Sequence, residues 1–136
     1  MAEKIEKDLE LVGSTAIEDK LQENVPETIK KLRTAGMIVW VLTGDKVETA
    51  MNIGYSSHLL DQEMNVMVAT NVDKSDLNKT LDSFLQQIRE DSERPSAIVI
   101  DGDSLRIIEE QKSLTRKFVE VSDQVKVVIA CRVSPS

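Results

Sequence analysis

Met37-Ile38-Val39-Trp40-Val41-Leu42-Thr43-Gly44-Asp45-Lys46 decides the fold of this chain. Six apolar residues run unbroken into Thr-Gly-Asp. The segment 46–57 then repeats apolar side chains at Val47, Ala50, Met51 and Ile53. That order predicts a strand, a tight turn and a helix. An uninterrupted apolar strand is the pattern of a parallel sheet covered on both faces, and open sheets of that kind bind ligands beyond the carboxyl ends of their strands. The turn has the parts of a phosphate loop. Thr43 offers a hydroxyl, Gly44 permits close backbone approach, and the helix start offers free N–H groups and partial positive charge. The same turn also serves simply to end a strand and cap a helix, and spacing alone favours that plainer role.

Upstream, Asn24 stands where an N-cap is expected, with Pro26 in the first turn. Val25, Ile29 and Leu32 recur at helical spacing, and Gly36 ends the helix. Before it, Ile5 and Leu9 fit the last turns of a helix. Leu9, Leu11, Thr15 and Ile17 suggest a strand broken near Gly13, and 18–23 is polar connector. Downstream, 65–69 and 97–100 read as strands, and 125–131 as the last strand. Leu77, Leu81, Phe84, Leu85 and Ile88 form a helical stripe across 75–91, and short helices are expected near 105–110 and 115–121. The stretches 61–65 and 71–76 read as loops. Strands alternating with helices predict an α/β fold, a Rossmann-like doubly wound parallel sheet.

The 136 residues suffice for one domain. Aromatics make up 3% of the chain, so its core must be aliphatic. A net charge of -7 argues against a nucleic-acid or anionic-membrane surface, while leaving room for a nucleotide at a local site. Cys131 is the single cysteine, which excludes an internal disulfide and fits a reducing compartment. No apolar run approaches the roughly 20 residues that span a bilayer, and the charged residues 1–10 do not resemble a signal peptide.

A second acidic turn, Asp101-Gly102-Asp103, follows the apolar run Ala97-Ile98-Val99-Ile100. It resembles the nucleophile motif of the haloacid dehalogenase superfamily, where two carboxylates two residues apart divide attack and proton handling. In that superfamily, however, the nucleophile strand precedes the Thr-bearing strand, and here it follows. A helix capped through Asp103 is the favoured reading. His58, the only histidine, suits a helix end facing terminal carbonyls. Cys131 and Trp40 suit packing. Arg132 stands at the carboxyl end of the last strand, level with Thr43. It serves there either a phosphate or nucleotide, or an acidic side chain.

Taken together these residues go further. Leu11-Val12-Gly13-Ser14-Thr15-Ala16-Ile17-Glu18-Asp19-Lys20-Leu21-Gln22 closely resembles the post-hinge segment of the type IV P-type ATPases, the phospholipid flippases. So do Val25-Pro26-Glu27-Thr28-Ile29, Trp40 to Lys46, Glu48-Thr49-Ala50, Asn52-Ile53-Gly54-Tyr55-Ser56, Ile100-Asp101-Gly102 and Cys131-Arg132-Val133-Ser134-Pro135. The resemblance runs from about Ile5 to Pro135, with a variable middle from 61 to 95. Other P-type ATPases commonly carry Asp-Pro-Pro-Arg where this chain has Asp19-Lys20-Leu21-Gln22.

The resemblance implies a partial phosphorylation domain of haloacid dehalogenase type over 1–136. Residues 1–24 would follow the nucleotide-binding domain and hinge, and 25–136 would form the sheet-and-helix body. It implies an ATP- and Mg2+-dependent pump that moves a phospholipid, with an accessory subunit, and a cytoplasmic location for this part of an integral membrane protein. Thr43 and Gly44 match residues that contact the transferred phosphoryl group. Asp45 matches a residue at the nucleotide edge, Arg132 one near the nucleotide, and Asp19 the hinge. The family's nucleophile sits in an Asp-Lys-Thr-Gly-Thr motif that this chain lacks, and its phosphoryl-neutralising Lys and its Gly-Asp-Gly-x-Asn-Asp magnesium motif are also missing. The expectation is therefore no turnover by this chain alone, with no catalytic residue and no metal site of its own. The alternative is a self-sufficient phosphatase using Asp101 and Asp103. With the nucleophile strand absent, unpaired edges are expected in the middle of the sheet, giving marginal stability, a rearranged sheet or self-association.

Overall fold

The computed structural model describes residues 10–16 and 20–134. The expected helix end at Ile5 and Leu9, the expected hinge residue Asp19 with its neighbours Ile17 and Glu18, and Pro135 lie outside the described residues. The elements follow in the order α1 (Val25–Thr34), β1 (Val39–Leu42), α2 (Val47–Ser56), β2 (Asn65–Ala69), α3 (Lys74–Glu90), β3 (Ser96–Asp101), α4 (Gly102–Glu110), α5 (Lys112–Ser122) and β4 (Val127–Cys131). The four strands form one sheet in the order β1-β4-β3-β2. Every pairing is parallel. Helices lie on both faces, so the fold is α/β and doubly wound.

Strand alternation divides the core in two. On one face Met67, Ala69, Ile98, Ile100, Val128 and Ala130 pack under α3, α4 and α5. The stripe Leu77, Leu81, Phe84, Leu85 and Ile88 is fully inside this layer. Burial of about 1.5–3 kcal/mol per side chain explains why α3 is held although its N-terminus has no side-chain cap. On the opposite face Ala97, Val99, Val127, Ile129 and Cys131 meet Ala50 of α2, together with Leu59, Leu60 and Met64. Gly54 lets α2 settle here, because a Cβ at that position would stand 2.9 Å from Leu60 Cδ1 and 3.0 Å from Ile129 Cδ1.

The structure corrects several expectations. β1 is not covered on both faces. It is an outer strand, and while Val39 and Val41 join the second layer, Trp40 is 48% and Leu42 70% exposed. Trp40 touches the first layer only edge-on, its ring 6.2 Å from that of Phe118. Among the described residues, that edge of Phe118 in α5 is the aromatic cover of the far face of β1, and Trp40 and Leu42 stay open to solvent. The sheet also has no gap in its middle: β4 bridges β1 and β3 directly, and the unpaired edges lie outside β1 and β2. No strand forms in 10–16, where Leu11 and Val12 stand exposed with no neighbour to pair with. Asn24 occupies the cap position of α1 in a left-handed conformation (φ 69°) and caps through no side-chain bond. Gly36, with φ 83°, ends the segment as expected.

Candidate functional site

The carboxyl ends of β1, β4 and β3 bring three turns together. Thr43-Gly44-Asp45 leaves β1, Arg132-Val133-Ser134 leaves β4, and Asp101-Gly102 leaves β3. Backbone bonds lace the first two. Thr43 N–H donates to Ala130 O at 2.9 Å, Val133 N–H to Thr43 O at 3.1 Å, and Arg132 N–H to Asp45 O at 3.0 Å. Arg132 accepts a left-handed backbone (φ 51°) to make this approach. Three of the predicted site residues, Thr43, Gly44 and Asp45, are thus contiguous and tied to the backbone of the fourth, Arg132.

Above this lacing lies a cleft of about 390 Å3 lined by Leu42, Thr43, Gly44, Val133 and Ser134. Gly44 is exposed within it, and the nearest atom to a Cβ built there would be Val133 O at 3.7 Å. α2 starts immediately behind the turn. Lys46 holds its cap position and makes no side-chain cap bond, so among the described residues the first-turn N–H groups have neither intrahelical nor side-chain acceptors. The Thr43 hydroxyl donates to Asp45 Oδ2 at 2.8 Å and accepts from Asp45 N–H at 3.1 Å. Sequence reasoning missed this closed pair, although a hydroxyl two residues ahead of a carboxylate is the spacing that permits it. Arg132 is absent from the lining of this cleft and lines a neighbouring one of about 530 Å3 with Gly102, Leu105, Arg106 and Glu109.

The second acidic turn is built differently. Asp101 is 2% exposed. Its Oδ1 accepts from Ser104 N–H at 2.9 Å and its Oδ2 from Asn71 N–H at 2.8 Å. Asp101 itself, rather than the expected Asp103, therefore caps α4, and it also ties down the chain after β2. Asp103 is exposed beside Arg106. Burial pushes the Asp101 carboxyl up, but the hydrogen bonds from Ser104 and Asn71 and the charge of Arg132 outweigh it, so its pKa falls below the ordinary 3.8. Burial, aided by the negative charge of Asp101, pushes the Cys131 thiol up instead, and Cys131 donates to Ile100 O at 3.3 Å. His58 follows α2 as expected, yet it is its backbone oxygen that acts, accepting from Arg33 Nη1 at 2.6 Å.

Among the described residues no group of three His, Cys, Asp or Glu side chains could hold a metal ion, and no helix is long and apolar enough to cross a membrane.

No protein-family model matches the chain. It is similar along its whole length to a phospholipid-transporting ATPase of Schizosaccharomyces pombe, 47% identical over 156 residues, covering 100% of this chain and 11% of that protein. A phospholipid-transporting ATPase of Chaetomium thermophilum is 44% identical over 161 residues, with 100% of this chain and 10% of that protein covered. One of Saccharomyces cerevisiae is 44% identical over 136 residues, with 96% and 10% covered. The chain spans about a tenth of the length of the curated relatives it matches.

Proposed function

This chain belongs to the phospholipid-transporting ATPases, and from that membership we propose that it forms part of the phosphorylation domain of a type IV P-type ATPase, where Thr43-Gly44-Asp45 holds the γ-phosphate of ATP. The observation that carries the reading is the uncapped start of α2 directly behind an open Gly44. Backbone N–H groups at such a helix start are set for an anion, and the Thr43 hydroxyl stands beside them. A phosphoryl group in the cleft would be held by backbone donors fixed before it arrives, with the Thr43 hydroxyl turning from Asp45 Oδ2 to meet it, which is how positioning groups contribute to phosphoryl transfer. Asp45 would face the nucleotide side, and the exposed Arg132 would swing a guanidinium toward its phosphates from the adjoining cleft. ATP with Mg2+ supplies the transferable phosphoryl group and its charge compensation. The described residues hold no acidic cluster for the cation, so Mg2+ would arrive with the nucleotide.

In this reading the parent couples ATP hydrolysis to phospholipid translocation on the cytoplasmic side of a membrane, with an accessory subunit as partner and with Asp19 at the hinge to the nucleotide-binding domain. The chain alone binds without turning over, because no Asp-Lys-Thr-Gly-Thr nucleophile is present in it. The open edge of β1, with Trp40 and Leu42 exposed, is the surface through which the isolated chain would self-associate. A phosphatase built on Asp101 and Asp103 is not favoured, since both Asp101 oxygens are taken by backbone amides and the side chain is buried.

Equilibrium binding of Mg2+-ATP, combined with a phosphate-release assay, tests this. The expected result is weak binding that Thr43→Val abolishes, with release no faster than in buffer. Release that survives Thr43→Val and disappears in Asp101→Asn would instead establish the phosphatase.

A further inference from the structure

Among the described helices, α1 is the one without a buried residue. Its stripe of Val25, Ile29 and Leu32 reaches the second layer only at the border, where Ile29 packs against the core and Leu32 stays 36% exposed. Apolar burial therefore holds α1 weakly. What fastens it is Arg33. This guanidinium, on a side chain only 20% exposed, donates from Nη1 to His58 O at 2.6 Å and from Nη2 to Asp61 Oδ2 at 2.9 Å, and Nη2 also meets Met64 Sδ at 3.5 Å. All three partners lie in the connector between α2 and β2.

Both ends of α1 are jointed. Asn24 before it has φ 69° and makes no side-chain cap bond, and Gly36 after it has φ 83°, with nothing within 4 Å of the place a Cβ would take. Past Gly36 the chain is fixed again at Val39, whose N–H donates to Lys126 O at 3.0 Å. Ahead of α1, residues 20–24 are exposed and carry neither helix nor strand. An element with little buried area, set between two joints, belongs to the low-stability end of a fold and opens before the rest.

We propose that α1 is a strap latched by Arg33: when the guanidinium lets go of the α2–β2 connector, α1 lifts as one body while the four-stranded sheet stays folded. Opening loosens the border that Ile29 shares with Val39 and Val41 of β1, the strand that leads into the Thr43 turn. Anything that binds or pulls the exposed residues 20–24 acts on the strap first.

The test is native-state hydrogen exchange on the full chain, under conditions where rates follow the opening equilibrium, for wild type, Arg33→Lys and Asp61→Asn. Lys keeps the charge and nearly the helix propensity of Arg but cannot fork onto two acceptors. Asp61→Asn weakens the latch from the connector side and leaves the sequence of α1 untouched. In the wild type the amides of Ile29 to Thr34 are expected to exchange faster than those of Ile98 to Ile100 in β3 and Val128 to Ala130 in β4. Each variant should speed α1 by at least about tenfold, the low end for bonds to a charged group, and leave β3 and β4 unchanged. Fraying of α1 on its own would not respond to Asp61→Asn, and a global loss of stability would speed the strands by the same factor. The proposal fails if wild-type α1 exchanges no faster than the two strands, if either variant leaves α1 unchanged, or if the strands speed up in step with it.

Discussion

Two turns of nearly the same composition end neighbouring parts of this sheet, and they are opposites in construction. Asp101-Gly102 after β3 is closed. Its carboxylate is buried and caps α4, and Gly102 lies so near β4 that a Cβ would stand 2.5 Å from Arg132 O. Thr43-Gly44-Asp45 after β1 is open. Its helix start is uncapped, its glycine faces a cleft, and its acid closes on a hydroxyl rather than on backbone amides. Position relative to the glycine accounts for the difference. An acid that ends the strand falls at the N-cap and satisfies the helix itself. After β1 the helix starts later, and its cap position falls to Lys46, whose side chain carries no acceptor, so the helix amides stay uncapped, which is the condition for binding an anion there.

The sharpest way to break this contrast is Asp101→Ala. It removes a helix cap and strands two amides, that of buried Ser104 and that of Asn71, for an expected loss of about 2–4 kcal/mol in urea unfolding. The pH dependence should change with it. Because the folded-state pKa of Asp101 lies below 3.8, its contribution is complete above that value and is lost as pH falls through the depressed one. The gap between wild type and Asp101→Ala should therefore be full at neutral pH and close in acid. A gap that widens in acid would contradict the cap. Gly102→Ala comes next, with about 1–3 kcal/mol expected because the neighbour it meets is backbone and cannot rotate away. Trp40→Ser should leave unfolding nearly unchanged while lowering any self-association seen by light scattering, since half of that side chain already faces solvent. Gly44→Ala sharpens the comparison from the small end. It should change stability by no more than about 0.5 kcal/mol, because the space beside Gly44 is open to the cleft, yet weaken Mg2+-ATP binding if the proposed phosphate site is there.

Much of this was legible in the chain because the signals were local. The stripe from Leu77 to Ile88 specified α3, and the apolar runs at 97–100 and 127–131 specified the two central strands. The run at 37–42 looked the same and behaves differently, because apolarity does not tell a strand which neighbours it will have. β1 falls at the outside of the sheet and shows Trp40 and Leu42 to solvent. The site divided in the same way. Thr43, Gly44 and Asp45 were readable as a turn between strand and helix, and they occupy that place. The lacing to Arg132 and Val133, the Asn71 bond to Asp101 and the place of Arg132 in the adjoining cleft depend on contacts across the sheet that no local pattern carries.

The most direct measurement is an amide NMR map of the whole chain with and without Mg2+-loaded β,γ-methylene ATP. The expected shifts gather at Thr43, Gly44 and the first turn of α2, Val47 to Thr49, while Asp101 to Ser104 stay still. Shifts centred on Asp101 to Ser104, with Gly44 unmoved, would contradict the assignment of the open turn as the phosphate site.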